Sequence, residues 1–143
     1  DLEPVAQEKK VELIQKPQSS SEDELILTGS DILIYRMLYN LVENAIKYNR
    51  NGGTVTVSAI REKNEAVLTV SDTGNGIDEA FREKIFEPFF RVDKSRSREL
   101  GGVGLGLAMV REVVRVHDGT IEVYTNKQSG TTFEIWLPQS HWL

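Results

Sequence analysis

The sequence contains no cysteine and no long apolar run in its 143 residues. Without cysteine, a disulfide framework and a cysteine metal site are both excluded. No apolar stretch approaches the roughly 18 residues of a transmembrane helix, and no secretory signal peptide is visible. The chain begins with Asp1 rather than methionine, so we expect it to be a piece of a longer protein; a processed chain would begin in the same way.

An excess of positive charge is also missing, since the formal net charge is −5. This balance argues against nucleic acid as the main partner. The segment RVDKSRSRE, residues 91–99, is a local exception with four basic and two acidic residues. Such a segment is typical of a solvated loop, but it lies directly before a cluster of glycines.

Alternating apolar residues predict four strands in two hairpins. Residues 54–60 and 65–72 are joined by the polar residues REKN, and residues 119–125 and 131–138 flank NKQSG. Two shorter apolar stretches, residues 11–15 and 24–28, are also interpreted as strands. A chain of this length buries roughly 68% of its unfolded surface, which is enough for one domain with a core of its own.

Helical periodicity appears in three places. A first helix is predicted over residues 31–48, with Ser30 or Asp31 as N-cap, and a second over residues 105–117. A shorter helix is predicted over residues 78–85. The core-facing stripe of the first helix consists of Ile34, Leu38, Leu41, Val42 and Ala45. Hairpins with helices on one face predict an α+β fold, a two-layer α/β sandwich with a mixed, mostly antiparallel sheet.

A polar stripe runs along another side of the first helix. Asn40, Asn44 and Lys47 are spaced i, i+4 and i+7, which places them on one face. Carboxamide oxygens are hard ligands, and lysine is a point charge for phosphate. The stripe therefore suits a hydrated Mg²⁺ with phosphate oxygens, although an ordinary solvated helix face has the same appearance.

The stretch SDTGNGI, residues 71–77, ends a predicted strand with an acid and two glycines. Gly74 and Gly76 allow the backbone to turn and to approach a ligand closely. An ionised Asp72 is only an acceptor, so it can receive a hydrogen bond from an exocyclic amine. The alternative is a tight turn with an Asx cap. A calcium loop is excluded because its ligand count and terminal glutamate are missing.

Residues 100–110 read LGGVGLGLAMV, and four of the six residues from Gly101 to Gly106 are glycine. Each glycine near a helix start costs roughly 0.5–1 kcal/mol relative to alanine. The dinucleotide fingerprint and the G-K-[ST] phosphate loop are both absent. The remaining explanation for the glycines is that they leave the backbone N–H groups at a helix N-terminus accessible to an anionic phosphate. The basic loop upstream is then a hinged lid, from which Arg91 or Lys94 reaches the outer phosphates.

These signals occur in a specific order. The sequence resembles the five sequence boxes of sensor histidine kinases, in the same order. The N box is similar to NLVENAIKYN, the first glycine box to DTGNGI and the F box to FEPFFRVD. The second glycine box is similar to GGVGLGLAMV and the last to GTTFEI. The chain from about residue 13 to 138 is similar to the catalytic and ATP-binding domain of that family. The superfamily also includes gyrase, the heat-shock chaperone and the mismatch-repair ATPase. The resemblance implies the Bergerat-type ATP-binding fold.

The resemblance also implies how adenine is bound. Asp72 would accept the hydrogen bond of the adenine amine, next to the turn with Gly74 and Gly76. Thr131 or Thr132 would support the ring edge. The two residues implied to pack against the ring are Tyr48 and Ile77.

On the phosphate side, the resemblance implies that Asn44, with help from Asn40, holds Mg²⁺. Lys47 and Arg91 would contact the phosphates, with residues 91–101 as the ATP lid. The residues implied to line the triphosphate at the start of the second long helix are Gly102, Gly104, Leu105 and Gly106. Three phenylalanines would anchor the base of the lid: Phe86, Phe89 and Phe90.

The first N-box position indicates the reaction. The ATPase relatives carry a water-activating glutamate there, whereas this sequence has Asn40, and a carboxamide is not a general base. Glu43 lies about 100° around the helix from Asn44 and does not simply replace that base. We therefore expect ATP to be bound without fast hydrolysis, and its γ-phosphoryl group to pass to a histidine. The alternatives are a nucleotide-gated ATPase, a serine-directed kinase of the same superfamily, and a non-enzymatic interaction module.

The acceptor histidine is expected outside this chain. His117 is expected to have a structural role at a predicted helix end, where a cationic imidazole would be favoured, and His141 lies in the C-terminal tail. Neither matches the family's acceptor pattern, so we expect the dimerisation and acceptor region before Asp1. The resemblance implies a single, monomeric domain over residues 1–143, with that helical domain and a response regulator as partners. It also implies a cytoplasmic domain in a membrane-anchored parent.

Overall fold

The computed structural model describes residues 12–16, 29–88, 90, 106–126 and 129–139. In these ranges the longer elements are β1 (Glu12–Lys16), α1 (Asp31–Lys47), β2 (Thr54–Glu62), β3 (Glu65–Asp72), α2 (Gly106–Val116), β4 (Thr120–Thr125) and β5 (Thr131–Pro138). Neither described α-helix is long and apolar enough to span a bilayer. The predicted strand over residues 24–28, the predicted lid over residues 91–101 and His141 lie outside the described residues.

The five strands form one sheet in the order β1-β2-β3-β5-β4. β1 runs parallel to β2, and the other three neighbouring pairs are antiparallel. Val70 of β3 pairs with Val57 on one side and with Phe133 on the other. The prediction of a mixed, mostly antiparallel sheet is confirmed, and β3 and β5 lie inside it.

Both predicted hairpins form, and the first has a shorter turn than its polar linker indicated. Arg61 and Glu62 continue β2 and pair with Ala66 and Glu65. Lys63 takes a positive φ of 55° in the turn. The second hairpin joins β4 to β5, and it brings the end of β4 close to the end of β3.

Both helices pack on the same face of the sheet, as predicted. The residues buried between these layers come from α1 (Met37, Leu41, Ala45, Ile46), α2 (Val110, Val113, Val114) and the strands (Val55, Ala66, Leu68, Val70, Phe133, Ile135, Leu137). Three residues of the predicted helical stripe, Ile34, Leu38 and Val42, are only partly buried. The helix is thus rotated so that Met37 lies at the centre of the contact.

The ends of α1 follow the expected capping chemistry. Ser30 is the N-cap, and its hydroxyl accepts a hydrogen bond from Leu33 N at 3.3 Å. Asp31 lies in the first turn and Lys47 in the last, so both charges complement the helix dipole. The helix ends at Tyr48, whose N–H donates to Asn44 O at 3.0 Å.

The short α-helix expected over residues 78–85 is replaced by two 3₁₀ helices, Glu79–Phe81 and Lys84–Phe86. Asp78 caps the first by accepting from Ala80 N at 3.0 Å. The two 3₁₀ turns point aromatic rings at different partners. Phe81 packs against Phe90 at 5.8 Å, and Phe86 meets Phe133 edge-on at 6.3 Å. Packing of these rings therefore overrides the helical pattern.

His117 joins the two helices and differs in charge from the expectation. Nδ1 lies 2.8 Å from Val113 O, and Nε2 accepts the N–H of Ser30 at 3.0 Å. Because Nε2 needs its lone pair for this bond, the imidazole is neutral with its proton on Nδ1. The expected structural role fits these contacts, whereas the cationic form does not, because the N-cap backbone of α1 supplies a donor.

Candidate functional site

Asp72 ends β3 with one carboxylate oxygen engaged and the other open. Oδ1 accepts from Gly74 N at 2.8 Å and from Thr131 N at 3.1 Å. No residue in the described ranges donates to Oδ2. Burial raises the pKa of Asp72 above its ordinary value, and the two backbone N–H groups oppose that rise. The side chain is therefore fixed in orientation but has a free acceptor.

The loop after Asp72 packs directly on the C-terminal end of α1. A Cβ on Gly74 would lie 2.6 Å from Tyr48 O, so only glycine fits there. Thr73 Oγ1 donates to Asn49 Oδ1 at 3.2 Å, and Arg50 Nε donates to Thr73 O at 3.3 Å. The predicted acidic loop and the predicted carboxamide helix are thus neighbours in space.

Asn40 links the polar stripe of α1 to the start of α2. Its Nδ2 donates to Arg36 O at 2.8 Å, which leaves Oδ1 on the side of Gly106. A Cβ on Gly106 would lie 2.8 Å from this Oδ1. The bare helix N-terminus therefore approaches the carboxamide stripe, as a shared anionic ligand would require.

The other stripe residues differ in their partners. The partly buried Asn44 makes no side-chain hydrogen bond to any residue that the structure describes. Lys47 Nζ lies 3.8 Å from Glu43 Oε1, in an i, i+4 pair. Tyr48 is 39% exposed at the helix end. Along α1 toward the Asp72 loop, the carboxamide of Asn44 is thus followed by the Lys47–Glu43 ion pair and then by the Tyr48 ring.

The residues expected at the ring edge have partners of their own. Thr131 is buried and meets Asp72 through its backbone N–H. Thr132 Oγ1 donates to Asn126 Oδ1 and lies 2.8 Å from Ser71 Oγ. Ile77 packs against the hydrophobic core, and its carbonyl accepts from Thr125 Oγ1 at 3.0 Å. Gly76, with a φ of 78°, turns the loop toward Gly130.

The structure brings most of the described candidates together at one end of the molecule. Asp72, Gly74 and Thr131 are in direct contact, and the loop reaches the helix that carries the stripe. Six candidates lie outside the described residues: Phe89, Arg91, Lys94, Gly102, Gly104 and Leu105.

Sequence reasoning missed two asparagines that hold this arrangement. Asn49 is 2% exposed, and its Nδ2 donates to Thr54 O at 3.0 Å. Asn126 Nδ2 donates to Asp72 O at 2.8 Å. The run YNRNGG, residues 48–53, marks a turn that holds Asn49, but no local signal connects Asn126 with Asp72, because their bond spans 54 positions.

Comparison with known families agrees with this geometry. The sequence profile of the family described as histidine kinase-, DNA gyrase B-, and HSP90-like ATPase matches residues 29–141. This range covers α1, the Asp72 loop, α2 and both strands of the second hairpin. The match therefore includes all the elements that build the candidate site.

Relatives and solved structures point to the same family. The sensor-like histidine kinase SenX3 of Mycobacterium tuberculosis is 42% identical over 121 residues, which cover 85% of this chain and 30% of SenX3. The mycobacterial sensor histidine kinase MprB matches with a TM-score of 0.78 and 30% identity, over 96% of this chain and 88% of MprB. Full-length ShkA in complex with AMPPNP has a TM-score of 0.81 and 27% identity, over 96% of this chain and 27% of ShkA.

This chain thus spans less than a third of the length of SenX3. The α+β sandwich predicted from the sequence is confirmed by the strand order and by the structural match to MprB. The profile match extends over most of the sequence, and the identity with SenX3 is well above 30%. The chain therefore belongs to the histidine kinase-, DNA gyrase B- and HSP90-like ATPase family, whose members bind ATP.

Proposed function

We propose that this chain is the ATP-binding catalytic domain of a two-component sensor histidine kinase. It transfers the γ-phosphoryl group of Mg-ATP to a histidine on a separate helical dimerisation domain of the same parent protein. The observation that carries the proposal is the Asp72 carboxylate, whose Oδ1 is held by two backbone N–H groups while no described residue donates to Oδ2, in a loop that packs on the carboxamide helix. Family membership and the identity with SenX3 support it.

Asp72 selects adenine by hydrogen-bond polarity. An ionised carboxylate is only an acceptor, so Oδ2 pairs with the 6-amino group of adenine and is repelled by the 6-oxo group of guanine. Gly74 and Gly76 let the ring approach the loop. Tyr48 and Ile77 flank the ring, and Thr131 and Thr132 lie at its edge.

The chemistry of the carboxamides fits a magnesium ion that is bound together with the phosphates. Asn44 has an amide without a partner among the described residues, and Oδ1 of Asn40 faces Gly106. Mg²⁺ prefers oxygen ligands and is usually held by few protein groups plus substrate phosphates. The ion would neutralise charge on the phosphate oxygens. In the described ranges no three His, Cys, Asp or Glu side chains cluster as a metal site. Water and phosphate oxygens would supply the ligands that the carboxamides do not.

The remaining proposed contacts hold the phosphates. Lys47 would exchange its 3.8 Å pair with Glu43 for a phosphate oxygen. Arg91 would reach the outer phosphates from the lid. The backbone that would line the triphosphate belongs to Gly102, Gly104, Leu105 and Gly106.

Phosphoryl transfer then depends on positioning and charge neutralisation. A ring nitrogen of the acceptor histidine attacks the γ-phosphorus in line. The bond from phosphorus to the β–γ bridging oxygen breaks, ADP leaves, and the imidazole loses its proton. Water competes poorly, because Asn40 cannot take a proton from it, and this residue favours a kinase over a nucleotide-gated ATPase.

The partners follow from this role. The histidine-bearing dimerisation domain supplies the acceptor, and a response regulator receives the phosphoryl group afterwards. We place the domain in the cytoplasm, where ATP is available, and assign the membrane anchor to another part of the parent.

A thermal-shift titration with ATP and GTP, with and without Mg²⁺, tests nucleotide binding. At a concentration 100 times Kd, ATP should stabilise the chain by about 2.7 kcal/mol. Asp72→Asn should abolish the ATP shift while the unliganded protein stays folded. Asp118→Asn is the matched control, because it removes the same charge at the far end of α2. Equal shifts with GTP, or an unchanged ATP affinity in Asp72→Asn, would refute the proposal.

A further inference from the structure

We propose that Asn126 is a positioning residue for adenine recognition, which fixes the end of β3 so that Asp72 presents Oδ2 to the purine amino group. The inference rests on the nucleotide-binding function proposed above and deepens it. Asn126 follows β4 directly and lies in the connection between β4 and β5, outside the segments that the glycine boxes define. It holds the main chain of Asp72, whereas Gly74 and Thr131 hold its carboxylate.

All hydrogen-bonding groups of the Asn126 side chain are engaged at this point. Nδ2 donates to Asp72 O at 2.8 Å and to Ser71 Oγ at 3.2 Å. Oδ1 accepts from Thr132 Oγ1. The amide therefore crosses from the end of β4 to the end of β3 and reaches two consecutive residues there.

The hydroxyl protons in this cluster have one consistent order. Thr132 gives its proton to Asn126 Oδ1, because a carboxamide oxygen only accepts. Ser71 must then donate across its 2.8 Å contact with Thr132. Asn126 donates to Ser71 in turn, so the three side chains form a closed ring. The second Nδ2 proton is left for Asp72 O. In the flipped orientation the ring of hydroxyl bonds could run in the opposite direction, but an oxygen would face Asp72 O and this bond would be lost.

The β4–β5 connection lies directly against the Asp72 carbonyl. A Cβ on Gly130 would lie 2.0 Å from Asp72 O, and Gly130 has a φ of 105°. Asn126 N donates to Gly130 O at 3.0 Å, which ties the asparagine to the same turn. The β4–β5 connection also holds the next carbonyls of the loop, because Ser129 Oγ donates to Gly74 O. Among the described residues, Asn126 is the one whose side chain donates a hydrogen bond to the main chain of Asp72.

The residue type is specific for this task. Aspartate has the same shape, but it would place an acceptor against the Asp72 carbonyl, which is itself only an acceptor. Alanine would leave the partly buried carbonyl without its donor. Either substitution should let the Asp72 main chain rotate and move Oδ2 off the purine amine.

The experiment compares two nucleotides on the 143-residue chain. ATP carries the 6-amino group, and purine riboside 5′-triphosphate has hydrogen in its place. In Asn126→Ala and Asn126→Asp, ATP should bind on the order of tenfold more weakly, since an ionised acceptor loses its aligned donor. Affinity for purine riboside triphosphate should change by less than about twofold, because that ligand makes no bond to Asp72. Asn64→Ala, in the turn at the other end of β3, should leave both affinities unchanged.

Each result decides the question. Equal weakening of both nucleotides, or no weakening of either, would mean that Asn126 has only a structural role. If both Asn126 variants fail to fold, Ser71→Ala tests the same ring while keeping the Asn126–Asp72 bond. Ser71→Ala should reduce the affinity for ATP by a smaller factor and leave the affinity for purine riboside triphosphate unchanged. If neither affinity falls, or if both fall equally, the proposal is overturned. If the unsubstituted 143-residue chain binds neither nucleotide, the proposed function is wrong, and this inference fails with it.

Discussion

Asp72 combines a proposed role in ligand recognition with a cost to the stability of the fold. Its burial raises the pKa of the carboxyl above its ordinary value, so the ionised form is disfavoured in the folded chain. The hydrogen bonds from Gly74 and Thr131 offset only part of this cost. The charge is nevertheless what makes the side chain a pure acceptor for an amine. Such a locally unfavourable group is characteristic of binding sites.

The sign of this shift gives a testable pH dependence. Because the folded pKa lies above the ordinary value of 3.8, the contribution of Asp72 to stability is largest below that value and falls as pH rises through the folded pKa. Asp72→Asn keeps an acceptor for both N–H groups and does not ionise. Near pH 3.5 the variant and the unsubstituted chain should have the same free energy of unfolding in urea. Near pH 7 the variant should be at least as stable, because it does not bear the cost of ionising the buried carboxyl. If the unsubstituted chain becomes more stable than Asp72→Asn as pH rises, the raised pKa of Asp72 is wrong.

The two helices are coupled as elements through the ring of His117. The ring bonds to Val113 within α2 and to the N-cap residue Ser30 of α1. Gly29 packs closely on the same ring, since a Cβ there would lie 2.8 Å from His117 Nε2. Because α1 carries the carboxamide stripe and α2 begins at Gly106, this joint sets how the two site-bearing elements lie relative to each other.

Removing the His117 acceptor should weaken this joint. His117→Ala leaves the partly buried Ser30 N–H unsatisfied and should lower the free energy of unfolding by about 1–3 kcal/mol. His117→Gln places a carbonyl oxygen the same number of bonds from the backbone as Nε2, so it should lose less than half of that amount. Urea denaturation of both variants at neutral pH measures the difference. Equal losses would show that ring packing, rather than the hydrogen bond, stabilises the contact.

At the scale of the whole molecule, the sheet order brings four distant segments to one end. β3 lies between β2 and β5, so the Asp72 loop meets the start of β5 on one side and the end of α1 on the other. α2 packs beside α1 on the same face and presents Gly106 to Asn40. The proposed nucleotide site carries the carboxamide of Asn40, which is not a general base.

The chain alone should therefore bind ATP and turn it over slowly. We expect hydrolysis at least about 100-fold below a typical kinase turnover of about 1 per second. Addition of the parent's histidine-bearing dimerisation domain with γ-labelled ATP should yield an acid-labile phosphohistidine on that domain. Asp72→Asn is the matched negative control.

The alternatives give different products in the same assay. Rapid release of phosphate without an acceptor would indicate a nucleotide-gated ATPase. Acid-stable phosphoserine would indicate a serine-directed kinase. Bound ATP without any transfer would indicate an interaction module.

The amino-acid sequence by itself determined the local elements and the chemical inventory. The capping by Ser30, the strand from Glu65 to Asp72 and the order of the glycine and carboxamide motifs were all readable, because each depends on residues close together in the chain. Periodicity also predicted the hairpins and the helical layer.

Only the tertiary structure decided the rest. The 3₁₀ turns over residues 79–86 follow the packing of Phe81 and Phe86, and the neutral state of His117 depends on a donor 87 positions away. The role inferred for Asn126 likewise depends on the register that sets β5 between β3 and β4. Hydrogen bonds between distant segments depend on distances that only folding creates, so no pattern within one segment can encode them.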